Sequence, residues 1–109
     1  MMRSVIAGMG HYLPPKVVKN TDLEKMMDTS DEWIQQRTGI KERRFVEEGM
    51  GNAEMACEAS IMALKQAEVS PQDVDMIVLA TLNPDYAFPG DGCFLQKKLG
   101  ISGIPAFDI

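Results

Sequence analysis

The sequence has one histidine, His11, and two cysteines, Cys57 and Cys93, among 109 residues. That scarcity excludes several chemistries. A Ser-His-Asp triad would have to use His11, which lies in the loop-like stretch GMGHYLP, where a structural or solvent-facing role is the simpler reading. A closed zinc shell cannot be made from one histidine and two isolated cysteines without an unusual set of acidic ligands, so no metal site is expected. The cysteines form no CxxC arrangement, and two free thiols in a reducing, cytoplasmic compartment is the plainest interpretation. Positive charge is also short: 11 basic against 16 acidic residues give a formal net charge of -5. A nucleic-acid binder normally needs the opposite balance to displace counterions. No apolar run approaches a membrane span. The N-terminal MMRSVIAGMG is too short in its apolar stretch for a secretory signal. There is no low-complexity segment and no short-period repeat.

The remaining composition is that of a folded protein. Hydrophobic residues make up 45% and charged residues 25%, which argues against disorder as the main state. The length suits one small domain. Nine methionines fit an adaptable interior and carry no function by themselves.

The apolar pattern alternates between strands and helices. Ser4 to Gly10 reads as a buried strand ending in glycines, and Tyr12 to Pro15 continues extended because residues before proline avoid the α region. Asn20 is suited to cap a short helix over Thr21 to Met27, with Thr21 and Glu24 at capping-box spacing. Thr29 and Ser30 open a second short helix, again with Thr29 and Glu32 at capping-box spacing and Gly39 as a left-handed terminator. Lys41 to Val46 reads as a strand. The longest helix runs from Asn52 to Ala67, where Ala56, Ala59, Ala63 and Ala67 form a small-residue seam for close packing. Ser70 and Pro71 start one further turn of helix. Val74 to Ala80 is a strand, broken by Asn83-Pro84-Asp85. Gly92 to Leu99 is a helix ended by Gly100, and Ile104 to Ile109 is a last strand. This order is α/β, and runs such as MIVLA point to a parallel sheet covered on both faces. Pro105 to Ile109 has the character of an interior strand, so the chain reads as a fragment of something longer.

Two dipeptide-scale features invite functional readings. GMG at Gly8 to Gly10 is not a dinucleotide fingerprint, because the third glycine would fall at Leu13 and no helix follows. Trp33 and Arg37 are four apart on the second short helix and share a face. A ring for stacking beside a fork of donors suits an adenine nucleotide. A core tryptophan with an arginine lying over it is the alternative, and spacing alone favours that alternative. Lys41, Arg43 and Arg44 could meet a phosphate or an acidic carrier protein, or simply form a solvated patch. Glu47-Glu48 reads as a solvated loop. Cys57 reads as a small buried hydrophobe. Cys93 begins a helix, where a lowered thiol pKa is conceivable, and has no companion histidine.

DTSDEWIQQRTGIKERR resembles the N-terminal segment of the β-ketoacyl-acyl-carrier-protein synthases III. So do the opening GMGHYLPPKVVKN and the later AFP and PAFDI segments, all in matching order through Ile109. The resemblance implies a thiolase-like layered fold, with residues 1–109 as an incomplete N-terminal part of the first half, truncated before the nucleophile turn. It implies a homodimeric, cytoplasmic acyltransferase that initiates fatty acid biosynthesis. Such an enzyme moves a primer acyl group from coenzyme A to a cysteine, then condenses it with malonyl-acyl-carrier protein, losing carbon dioxide. Acyl-coenzyme A is then a substrate, and no cofactor is required. By this resemblance Trp33 stacks on the adenine, Arg37 holds the base or phosphate region, and Thr29 sits at the same site. Phe88, in Ala87-Phe88-Pro89, walls the acyl pocket of the partner subunit; a loop aromatic packed locally is the alternative. The catalytic cysteine, histidine and asparagine of the family all fall beyond Ile109, so no catalytic residue is expected here. Two other readings stand beside this one: a noncatalytic fragment that binds coenzyme A or forms a dimer wall, and a related acyltransferase of secondary metabolism.

Overall fold

The computed structural model describes residues 1–109, which divide into two compact units: Leu13–Gly49, and Met1–Tyr12 together with Met50–Ile109.

The Leu13–Gly49 unit contains β1 (Lys16–Lys19), α1 (Asn20–Leu23), α2 (Asp31–Thr38) and β2 (Glu42–Phe45). β1 and β2 pair antiparallel, with Lys16 opposite Phe45 and Lys19 opposite Glu42. β2 lies inside its expected range. β1 was not anticipated: Lys16-Val17-Val18-Lys19 follows two prolines, and only Val18 of its residues is buried, so its apolar signal is a single side chain. The expected Asn20 cap is a correction. Asn20 is the first residue of α1, and the Asp22 carboxylate accepts from the Lys19 backbone N–H at 3.0 Å. The helix is also shorter than Thr21 to Met27, because Met26 and Met27 have no covering surface and stand exposed.

In the second unit α3 (Asn52–Ala67) matches its expected bounds. A 3-10 turn at Pro71–Asp73 follows, with the Ser70 hydroxyl as its cap. β3 (Ile77–Leu79), α4 (Asp91–Lys98) and β4 (Ala106–Asp108) form a parallel β-α-β unit, with Ile77 opposite Ala106 and Leu79 opposite Asp108. The strands are shorter than Val74 to Ala80 and Ile104 to Ile109. Backbone bonds from Ile77 N to the Pro105 carbonyl (2.9 Å) and from Ile109 N to the Leu79 carbonyl (2.9 Å) nevertheless carry the pairing through Ile109. The core is Ile77, Leu79, Leu95 and Ile101, with Ala56, Cys57, Val74 and Leu99 against it. Val78 and Phe107 face away and are exposed, so one face of this two-stranded sheet is covered within the chain.

Ser4 to Gly10 is not a strand in this structure. It has no ladder partner, and Val5 and Ile6 are exposed. Its glycines lie instead on the alanine seam of α3. A Cβ on Gly8 would stand 2.9 Å from Ala67 Cβ, and one on Gly10 would stand 2.7 Å from the Ala63 backbone nitrogen. The Met9 N–H donates to Gln66 Oε1 at 2.5 Å.

Candidate functional site

The Asp28 to Gly39 segment is built from its ends inward. Ser30 caps α2 by accepting from the Trp33 N–H at 3.1 Å, which moves the cap one residue on from Thr29. The Asp31 N–H donates to Glu24 Oε1 at 2.7 Å. At the other end Gly39 takes the left-handed conformation (φ 71°) and donates to the Gln35 carbonyl at 2.8 Å. A side chain there would be strained, so glycine is the natural stop. The capping-box partner Glu32 is otherwise engaged, accepting from Gln36 Nε2 at 3.1 Å.

Only Ile34 is buried from this helix. Trp33 is 55% exposed, so the core-tryptophan alternative does not describe the molecule. The Arg37 guanidinium lies over the indole, 5.7 Å from the ring centroid, within the range of a cation–π contact. Trp33, Thr29, Ser30 and Asp28 line an open cleft of about 310 Å³. Thr29, Trp33 and Arg37 are thus gathered on one helix and the turn before it. Asp28 is the single charged residue lining the cleft, so the cleft itself suits a neutral ring, and an anionic group is better placed toward Arg37.

Asn20 was missed as a site-supporting residue. It is almost wholly buried, at 1% exposure. Its Nδ2 donates to Asp31 Oδ1 (2.7 Å) and to the Ile40 carbonyl (2.8 Å), while its Oδ1 accepts from Arg43 Nη2 (2.5 Å). The hydrogen bond from Asn20, joined by that from Gln35, holds the Asp31 carboxyl below the usual aspartate range. Arg43 also donates to the Val18 carbonyl at 3.2 Å, and Arg44 to the Pro14 carbonyl at 3.2 Å. The basic cluster is therefore spent largely on holding its own unit together. No sequence signal distinguished Asn20 from an ordinary cap, because its partners are eleven or more residues away.

Phe88 belongs to the other compact unit and is 91% exposed, so it is not packed locally. Its loop is anchored at both ends. Asp91, at 0% exposure, accepts from the Asp85 N–H (2.9 Å to Oδ2) and from the Tyr86 N–H (3.4 Å). The Tyr86 ring lies 4.8 Å from that of Phe94. Asp108 in turn accepts from the Asp91 and Gly92 N–H groups at 2.7 and 2.6 Å, satisfying the buried N-terminus of α4. Asp85 does the same for α3, accepting from the Ala53 N–H at 3.2 Å. Three carboxylates thus pass support from the end of β4 to both helices.

The remaining candidates hold no site. Burial pushes the Cys57 thiol up, with Glu58 adding to the effect; the residue packs beside the core. Cys93 Sγ lies 3.5 Å from the Ala106 carbonyl with no histidine near. His11, Glu47 and Glu48 are exposed. No group of three or more His, Cys, Asp or Glu is placed to hold a metal ion, and no helix is long and apolar enough to cross a membrane.

The α/β architecture is that of the corresponding third of thiolase-like condensing enzymes. No family model matches the chain; its similarity is to individual proteins. It is 51% identical over 109 residues to β-ketoacyl-[acyl-carrier-protein] synthase III of Fusobacterium nucleatum subsp. nucleatum, covering 99% of this chain and 33% of that one. The crystal structure of 3-oxoacyl-[acyl-carrier-protein] synthase III from Aquifex aeolicus VF5 superposes with a TM-score of 0.87 at 51% identity, covering 95% of this chain and 33% of that one. The priming β-ketosynthase of the R1128 polyketide biosynthetic pathway gives the same TM-score, 0.87, at 32% identity over 95% of this chain and 31% of its own. The chain is thus similar over nearly its whole length to the N-terminal portion of β-ketoacyl-[acyl-carrier-protein] synthases III, and spans about a third of the length of the curated relatives it matches.

Proposed function

We propose that this chain is the coenzyme A recognition portion of an acyltransferase that condenses acyl-coenzyme A with malonyl-acyl-carrier protein, by decarboxylative Claisen condensation, to initiate fatty acid biosynthesis. The observation that carries the reading is the exposed Trp33 ring under Arg37 at the mouth of the Asp28 to Ser30 cleft. Trp33 stacks on the adenine, Thr29 borders it, and Arg37 meets the base or the phosphates. Phe88 projects to wall the acyl pocket of a second copy in a homodimer; its 91% exposure and its anchored loop support that role. The catalytic cysteine, histidine and asparagine are supplied by sequence outside these 109 residues, and the 109 residues alone are inactive. The enzyme works in the cytoplasm and needs no cofactor.

The test is a condensation assay on the full-length protein with acyl-coenzyme A and malonyl-acyl-carrier protein. Release of carbon dioxide together with a 3-oxoacyl-carrier product is expected. Turnover of neither substrate would overturn the assignment. A second reading, a priming ketosynthase of secondary metabolism, draws on the equal TM-score of the polyketide enzyme; the higher identity of the synthases III ranks it second. Condensation that runs only on a polyketide-type carrier protein would reverse that order.

A further inference from the structure

The structure assigns Asn20 a positioning role: through one buried amide it holds the two ends of the Trp33 helix, and so sets how well the protein takes acyl-coenzyme A without touching it. The inference rests on the adenine-site reading of Trp33 and Arg37.

An eight-residue helix has little stability of its own. α2 buries only Ile34, so a single apolar anchor leaves it free to roll. Rolling would carry Trp33, and Arg37 over its ring, away from the cleft that Trp33 lines. Hydrogen bonds from outside the helix supply the missing constraint. The Asn20 Nδ2 uses both of its hydrogens, one on Asp31 at the start of α2 and one on the Ile40 carbonyl just past its end. The Oδ1 is taken by Arg43, which also binds the Val18 carbonyl on β1. Both polar atoms of the Asn20 amide are thereby bonded, and no buried side-chain polar atom in the protein lacks a partner. The chemistry demanded at this point is one atom donating twice and another accepting, in a short side chain. An asparagine meets that demand. An aspartate would keep the Arg43 bond, lose both donors and set a second carboxylate against Asp31.

That difference makes the test. Asn20→Asp breaks the bonds to α2 and Ile40 while sparing the Arg43 bond. Asp31→Ala removes the helix-start half of the clamp and leaves the Ile40 bond; it lies at a less buried position and remains informative if the first variant does not fold. In the full-length protein each is expected to raise the KM for acyl-coenzyme A at least fivefold, with kcat within twofold and the KM for malonyl-acyl-carrier protein unchanged. Combined with Trp33→Ala, Asp31→Ala should add little, because both act through the same ring. A folded Asp31→Ala protein with an unchanged acyl-coenzyme A KM would overturn the inference if Trp33→Ala raises that KM. Equal rises in the KM of both substrates would also overturn it, as a general loss of structure rather than a positioning effect. If Trp33→Ala itself changes nothing, the adenine-site reading fails first and takes this inference with it.

Discussion

Replacing Trp33 with alanine in the full-length protein is expected to raise the KM for acyl-coenzyme A by about 5- to 150-fold, the equivalent of the 1–3 kcal/mol that stacking a base on an aromatic ring contributes in nucleic-acid complexes. The helix should survive the change, because Trp33 is more than half exposed and Ile34 carries the packing. Alanine is also the better helix former. What is lost is the flat surface, together with the cation–π contact to Arg37. That contact has its own consequence: the guanidinium is already held over the ring before any ligand arrives, so less of its freedom is lost on binding. On the proposed reading the ring meets a part of the substrate remote from the reacting carbons, so the effect should fall on KM rather than kcat. Unchanged steady-state kinetics with acyl-coenzyme A would remove Trp33 from the site.

The second large effect is on stability. Gly10→Ala should destabilise the protein by on the order of 3 kcal/mol, the upper end of what overpacking costs. The new Cβ would press into the Ala59 carbonyl oxygen of α3 and lie 2.7 Å from the Ala63 nitrogen. Both are helix backbone atoms, which cannot rotate aside as a side-chain end can. Met9, between the two packed glycines, is exposed; Met9→Ala should stay within about 0.5 kcal/mol, as surface changes generally do. Thermal unfolding of the two variants beside the parent measures the contrast. A Gly10→Ala melting temperature equal to that of Met9→Ala would show that this segment does not lie against α3.

These glycines also show what the sequence could and could not disclose. GMG was legible as something other than a nucleotide loop, and the alanine seam of α3 was legible as a close-packing face. That the two meet was not, because neither pattern names its partner. Ser4 to Gly10 has the composition of a strand, but a strand also requires a neighbour to bond with, and composition is silent on that. α3 was read to its last residue because its apolar period is long. β1 was missed because Val18 is its lone buried residue. Within the site, Trp33, Arg37 and Gly39 announced themselves through spacing and turn chemistry. Asn20 and Asp91 did not: each is a common polar residue at a helix start, and only the folded chain shows that both are buried and bonded to backbone outside their own helices.

The central claim is that the Trp33 helix receives the nucleotide end of coenzyme A. Trp33 is the single tryptophan of these 109 residues, so its emission can be followed directly, with Trp33→Phe as the blank. Titration of the full-length protein with coenzyme A should produce a saturable change in the Trp33 signal. Pantetheine, which lacks the adenine nucleotide, should produce none. A Trp33 signal that stays flat at coenzyme A concentrations sufficient to saturate turnover would contradict the account.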